Sequence, residues 1–293
     1  MKSYISVSTW SLQQLTYTQG ATLDDMISMI KAMGADSIDI CEEYIPCHPQ
    51  PELVKIAEIR EKVADAGLKM GVTWFSTEIH RGIEASSEQN VLEIYKKNIQ
   101  IAKALGTPFI CIPMLLERKW PREKCKDEMR SFLEKLIPYA EKFDMPIAHE
   151  CARKGTNALV LELVKEFDSK YYRICPDLEA WRFGTSDLPL MPHAEDPDAG
   201  IMEPEPIQLF RDCIEYAPYI HFKLLKMENG EEPHFPIPEI MQAINSSSLY
   251  HILCLEYEGW IPDVVPERNA YEETRKCVEM IRRYQRSLKT ALI

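Results

Sequence analysis

Four short apolar runs, each ending in a side chain able to bind a cation, constrain this chain more than any other feature. They are Pro146-Ile147-Ala148-His149-Glu150, Tyr172-Arg173-Ile174-Cys175-Pro176-Asp177, Tyr219-Ile220-His221 and Ile252-Leu253-Cys254-Leu255-Glu256. Glu150, Asp177, His221 and Glu256 succeed one another at intervals of 27, 44 and 35 residues. Each interval is about one strand plus one helix, with an insertion in the second. Three carboxylates and one imidazole, each at the end of its own strand, make a ligand set for a single hard divalent cation. The pattern predicts a metal site at the mouth of a β/α barrel.

Strand and helix signals alternate along the rest of the chain. Strand-like Tyr4 to Ser8 opens it. Thr22 with Asp25 resembles a capping box, Met26, Ile30 and Met33 form a helical stripe, and Gly34 suits a helix stop before the strand Ser37 to Ile40. Helix 51–66 leads to strand 69–74. Ser86 with Gln89 opens a helix carrying Leu92, Tyr95, Ile99 and Ala102, closed by Gly106 before strand 108–112. A helix carrying Met129, Phe132, Leu133 and Leu136 precedes Glu150, and further helices fall near 157–167, 206–216, 237–244 and 272–288. Eight strands, each followed by a helix, predict an α/β fold of the (β/α)8 TIM-barrel type, one domain over residues 1–293, rather than an open doubly wound sheet.

One segment departs from this rhythm. Residues 182–206 are rich in Pro, Asp, Glu and Gly and follow the sixth strand. An extended loop there lies on the face where barrel enzymes carry their chemistry, and it reads as a lid or an interface loop, with a passive surface insertion as the alternative.

Charge and cysteine usage exclude several classes. The 293 residues carry a formal charge of -12, so the surface field repels a phosphate backbone and argues against nucleic acid as a partner. Nine cysteines, an odd number without a CxxC pair, read as buried reduced thiols of a cytoplasmic protein rather than a disulfide framework or a zinc-thiolate site. No signal peptide or bilayer-spanning run is apparent, so no membrane association is expected.

The Glu, Asp, His, Glu series at the ends of the fifth to eighth strands resembles that of the sugar phosphate isomerase/epimerase family of xylose-isomerase-like TIM barrels, over essentially the whole chain in unit order. The resemblance implies that Glu150, Asp177, His221 and Glu256 bind one divalent cation, manganese first, with magnesium, cobalt or zinc as alternatives. It also implies that Glu150 and Glu256 are the catalytic residues, moving protons as an acid/base pair. The chemistry calls for these residue types. A proton next to a carbonyl is too weakly acidic to remove unless the enediolate that forms is stabilised, and a cation chelated by adjacent substrate oxygens supplies that stabilisation. Two carboxylates on opposite faces of the carbon then epimerise it, one carboxylate shuttling a proton between carbons isomerises it, and loss of a β-substituent makes the enzyme a lyase.

Other residues are candidate substrate contacts. Lys223 shares a face with His221 by strand alternation, with a plain rim lysine as its alternative. Trp10 and Trp74 end the first and third strands, where an indole can stack on a sugar ring or simply pack. His80 lies just past the third strand. His149 points away from Glu150 by alternation. Glu258 shares a face with Glu256, but Gly259 follows at once, so it reads as a solvated rim carboxylate. Ketose epimerases of the resembled family place a histidine three residues after the aspartate ligand; here that position is Ala180, and Arg182 or His193 is the candidate replacement.

The leading functional reading is therefore a metal-dependent isomerase or epimerase of a ketose, sugar phosphate or cyclitol ketone, with a small carbohydrate as its partner and a homo-oligomer or a small partner subunit as further possibilities. The second is a lyase of the same superfamily, a dehydratase or the catalytic subunit of a C-glycoside deglycosidase. A phosphodiesterase resembling the three-zinc abasic-site endonucleases needs more histidine ligands than this chain offers, and a non-catalytic binding barrel leaves two acid/base carboxylates without a use.

Overall fold

The computed structural model describes residues 3–47, 51–75, 88–113, 121–152, 155–182, 204–259 and 269–290. Eight strands lie parallel in one sheet: β1 Ser3–Ser8, β2 Ser37–Cys41, β3 Lys69–Trp74, β4 Ile110–Ile112, β5 Ile147–Cys151, β6 Tyr172–Pro176, β7 Tyr219–Leu224 and β8 His251–Tyr257. Their order is β6-β5-β4-β3-β2-β1-β8-β7. The two ends meet: Asp177, just past β6, forms a parallel bridge with His221 of β7, and the Ile174 amide donates to the Tyr216 carbonyl at 3.3 Å. The sheet is thereby a nearly closed TIM barrel, and the bridge that closes it joins two of the four candidate ligands.

Helices α1 Gln13–Gln19, α2 Leu23–Ala32, α3 Leu53–Asp65, α4 Glu88–Leu105, α5 Arg122–Lys142, α6 Thr156–Phe167, α7 Ile207–Ile214, α8 Ile237–Ser246 and α9 Ala270–Thr290 surround it. Local chemistry sets the ends. Thr22 caps α2 through a reciprocal box, its hydroxyl accepting from the Asp25 amide while the Asp25 carboxylate accepts from the Thr22 amide at 2.8 Å. Gly34 then reverses the chain at φ +80°, a conformation most residues avoid. The expected strands and helices all reappear where the residues are described. The short helix α1 and the 3-10 turns Thr9–Leu12, Glu42–Tyr44 and Leu178–Trp181 carry no apolar stripe long enough to announce them.

Apolar packing falls in two layers. The larger joins the outward faces of the strands to the helices, with Ile5, Val7, Ile38, Ile40, Ile220 and Leu253 among its fully buried members. The smaller fills the barrel itself: Val72, Cys111, Ala148, Cys175, Tyr219, Ile252 and Cys254. All nine cysteines are buried and free of disulfides, as their apolar settings predict. No helix among the described residues is long and apolar enough to cross a membrane.

Candidate functional site

Strand alternation delivers the site. Along β7, Tyr219, His221 and Lys223 face the barrel interior while Ile220 and Phe222 pack outward. Ala148 and Glu150 face inward on β5, and His149 turns to the helix layer, where its Nδ1 lies 2.8 Å from the Tyr172 hydroxyl. Register does the rest. Glu150 pairs with Cys175, His221 with Cys254 and Lys223 with Glu256, so the inward residues of β5 to β8 converge at the C-terminal rim.

Glu150, Asp177, His221 and Glu256 meet there, with one potential ligand atom from each within 4.8 Å of all the others. The imidazole Nδ1 is 3.1 Å from Glu150 Oε1, 3.5 Å from Glu256 Oε2 and 3.8 Å from Asp177 Oδ2. All four residues are buried. Asp177 Oδ1 accepts from the Glu179 amide at 2.8 Å, while its buried Oδ2 accepts no well-aligned hydrogen bond. Three buried carboxylates and an imidazole converging on one point are a donor set that fits a hard divalent cation.

Lys223 is buried in this cluster and is not a plain solvated rim lysine. Its ammonium lies 3.2 Å from Asp177, 3.3 Å from Glu256 and 2.9 Å from Glu258. Glu258, read from sequence as a solvated rim carboxylate, is instead buried at 2% exposure. The Glu258 amide still donates to the Leu224 carbonyl at 2.8 Å, so the ladder runs one residue past β8 and keeps the side chain inward before Gly259 turns the chain. Alternation from Cys254 through Glu256 carried that signal; reading Gly259 as an earlier strand end masked it.

These charges bias one another. Burial opposes ionisation of Asp177, but the Lys223 ammonium and the His221 ring outweigh it and hold the carboxyl well below its usual range. Burial disfavours a charged His221, yet Glu256, Glu150 and the contact with Asp177 hold its pKa well above the ordinary value. Burial pushes Glu258 up to about 7 against the pull of Lys223.

The two tryptophans act through their indole N–H groups. Trp74 donates to Glu150 Oε2 at 2.8 Å and Trp10 to Glu258 Oε1 at 3.1 Å, with the rings 6.4 Å apart and tilted by 52°. Each indole thus fixes a carboxylate and leaves part of its ring exposed at the mouth. Arg182 pairs with Glu179 at 3.0 Å beside the turn after β6. His80, His193 and most of the loop after the sixth strand lie outside the described residues.

A family model described as "Xylose isomerase-like TIM barrel" matches residues 27–283. No curated protein sequence matches the chain. Among solved structures, an L-ribulose 3-epimerase is similar over 99% of this chain and 97% of its own, with TM-score 0.71 and 13% identity. A D-allulose 3-epimerase from Methylomonas sp. is similar over 97% and 98%, with TM-score 0.69 and 12% identity. The IOLI protein, solved with a bound zinc atom, is similar over 97% of each chain, with TM-score 0.64 and 14% identity. At these identities the likeness is one of fold.

Proposed function

The chain belongs to the xylose isomerase-like TIM barrel family, and on that premise we propose that it is a divalent-metal-dependent isomerase or epimerase of a ketose, sugar phosphate or cyclitol ketone, which removes and returns a proton beside a carbonyl. The observation that carries this reading is the convergence of Glu150, Asp177, His221 and Glu256 within 4.8 Å at the C-terminal ends of four successive strands. The epimerase neighbours and the zinc-bound neighbour support it.

A cation held by these four residues would draw charge from adjacent substrate oxygens as the proton leaves. The protein's own groups do the rest. Glu150 and Glu256 arrive from β5 and β8 on either side of His221, so one takes the proton from one face of the carbon and the other returns it to the opposite face. Trp74 holds one oxygen of Glu150 and leaves the other directed into the cluster. Lys223 keeps Asp177 ionised and is placed to meet a substrate oxygen. Trp10 and Trp74 offer ring surface to the sugar.

The test is turnover of candidate ketoses and cyclitol ketones with manganese in deuterated water. Deuterium at the carbon that changes configuration, or at the neighbouring carbon of the isomer, is expected. A metal that binds elsewhere on the protein, or products formed by phosphodiester cleavage, would overturn the reading.

A further inference from the structure

From His221 a chain of hydrogen bonds runs through the barrel interior to β2. His221 Nε2 lies 2.8 Å from the Tyr219 hydroxyl, which donates to Asp39 Oδ2 at 2.7 Å. Asp39, on β2, is 2% exposed and contacts neither the four clustered residues nor Lys223 in this network. Its Oδ1 accepts from the Val72 amide at 2.9 Å and from the Ser6 hydroxyl. The backbone is shaped to admit it. The pairing of β2 with β3 slips between Ile38 and Ile40, and opposite the slip stands Gly71. A Cβ at Gly71 would lie 1.8 Å from Asp39 Oδ1 and 2.6 Å from Ser6 Oγ. Only glycine leaves room for a carboxylate in the middle of the barrel.

Direction follows from the donor inventory. Burial raises the pKa of Asp39, while an amide and two hydroxyls all donate to its charged form; as the acceptor it takes the Tyr219 proton, which leaves only the lone pairs of the Tyr219 oxygen facing His221. The Cys111 thiol is a more distant neighbour of Nε2 at 4.0 Å, so a ring that gives up its second proton to admit the cation keeps the other on Nε2, against the Tyr219 oxygen. The other nitrogen, Nδ1, is the one facing Glu150, Asp177 and Glu256. We infer that Asp39 and Tyr219 are positioning residues that fix the proton of His221 on Nε2 and so present an unprotonated Nδ1 to the cation. The inference rests on the metal reading above for its use, but not for the hydrogen bonds. Outer partners of this kind orient a metal-binding imidazole and set its tautomer.

Asp39→Asn makes the sharpest test. The Val72 amide holds the Asn carbonyl oxygen, so the Asn NH2 faces Tyr219, whose own proton turns to His221 Nε2; the imidazole proton moves to Nδ1, where it blocks the ion. Tyr219→Phe removes the link with almost no change of shape. In the full-length protein labelled with 15N-histidine, the His221 signal is assigned by its loss in His221→Ala. A bonded Nε2–H is expected in the wild-type protein without metal and with zinc, and its bonded character is lost in Tyr219→Phe. Zinc affinity by chelator competition should fall about 10–100-fold in either variant. A purely structural role would lower the unfolding midpoint but leave zinc affinity and the Nε2–H signal unchanged, and that result would overturn the inference. So would a wild-type Nε2 without a proton. A bonded Nε2–H in protein that binds no zinc at these residues would sink the metal reading and leave the relay in place.

Discussion

Glu150 and Glu256 differ from Asp177 in what a single atom change should do. Replacing either glutamate by Gln keeps an oxygen in nearly the same place, and in Glu150→Gln that oxygen still accepts from Trp74. Metal should be partly retained while turnover falls by at least ~100-fold, the low end of what a general acid or base contributes. Steady-state rates under saturating cation check this, and near wild-type activity in both variants would remove the acid/base pair. Asp177→Asn should chiefly weaken cation binding and recover with excess metal, because Asp177 has no proton to move. The residue scale is also where sequence reading was incomplete. Glu258 and Lys223 form a buried pair at 2.9 Å, and the burial of each depends on the other's charge. Alternation puts both side chains on inward faces, but that they meet is set by the pairing of β7 with β8, which no local pattern shows.

Elements carry their own tests. The α2 capping box satisfies otherwise orphaned amides at an exposed helix end, so Thr22→Ala should cost roughly 1 kcal/mol in urea unfolding and leave the site untouched. Gly71→Ala should cost more, about 1–3 kcal/mol from overpacking, because the added methyl meets Asp39, Ser6 and the Ile38 carbonyl at 2.8 Å or less. A stable Gly71→Ala protein with an unmoved Asp39 would contradict the described packing. Strand assignments were legible because both faces of a barrel strand are buried and their apolar content is continuous. The 3-10 turn Leu178–Trp181 was not, because its form depends on the Asp177 carboxylate accepting from the Glu179 amide at 2.8 Å.

Across the whole molecule, His149 links folding to pH. Burial alone lowers its pKa to about 3, against about 6.5 for an exposed imidazole. The folded state thus binds fewer protons than the unfolded chain. The contribution is fully present above about 6.5 and is lost as pH falls toward 3, amounting to roughly a few kcal/mol over that window. Chemical denaturation between pH 7 and pH 4 should show a shallower fall for His149→Phe than for wild type, at the cost of about 1 kcal/mol at neutral pH for the lost contact with Tyr172. Equal slopes would mean that this imidazole is not held neutral by the fold.

The order of strands and helices, the inward alternation of Glu150 against His149 and the Glu, Asp, His, Glu series are properties of neighbouring residues, and sequence by itself determined them, because side-chain direction in a strand repeats every two residues. What brought the four ends within 4.8 Å was closure: the parallel register of β5 with β6 and β7 with β8, and the bridge between Asp177 and His221, contacts that span tens of residues. The pairing of Glu258 with Lys223 and the carboxylate of Asp39 against Gly71 were likewise decided only in the tertiary structure. Each involves a buried charge whose partners come from other strands, and a charge is stable in a barrel interior only once those partners are in place.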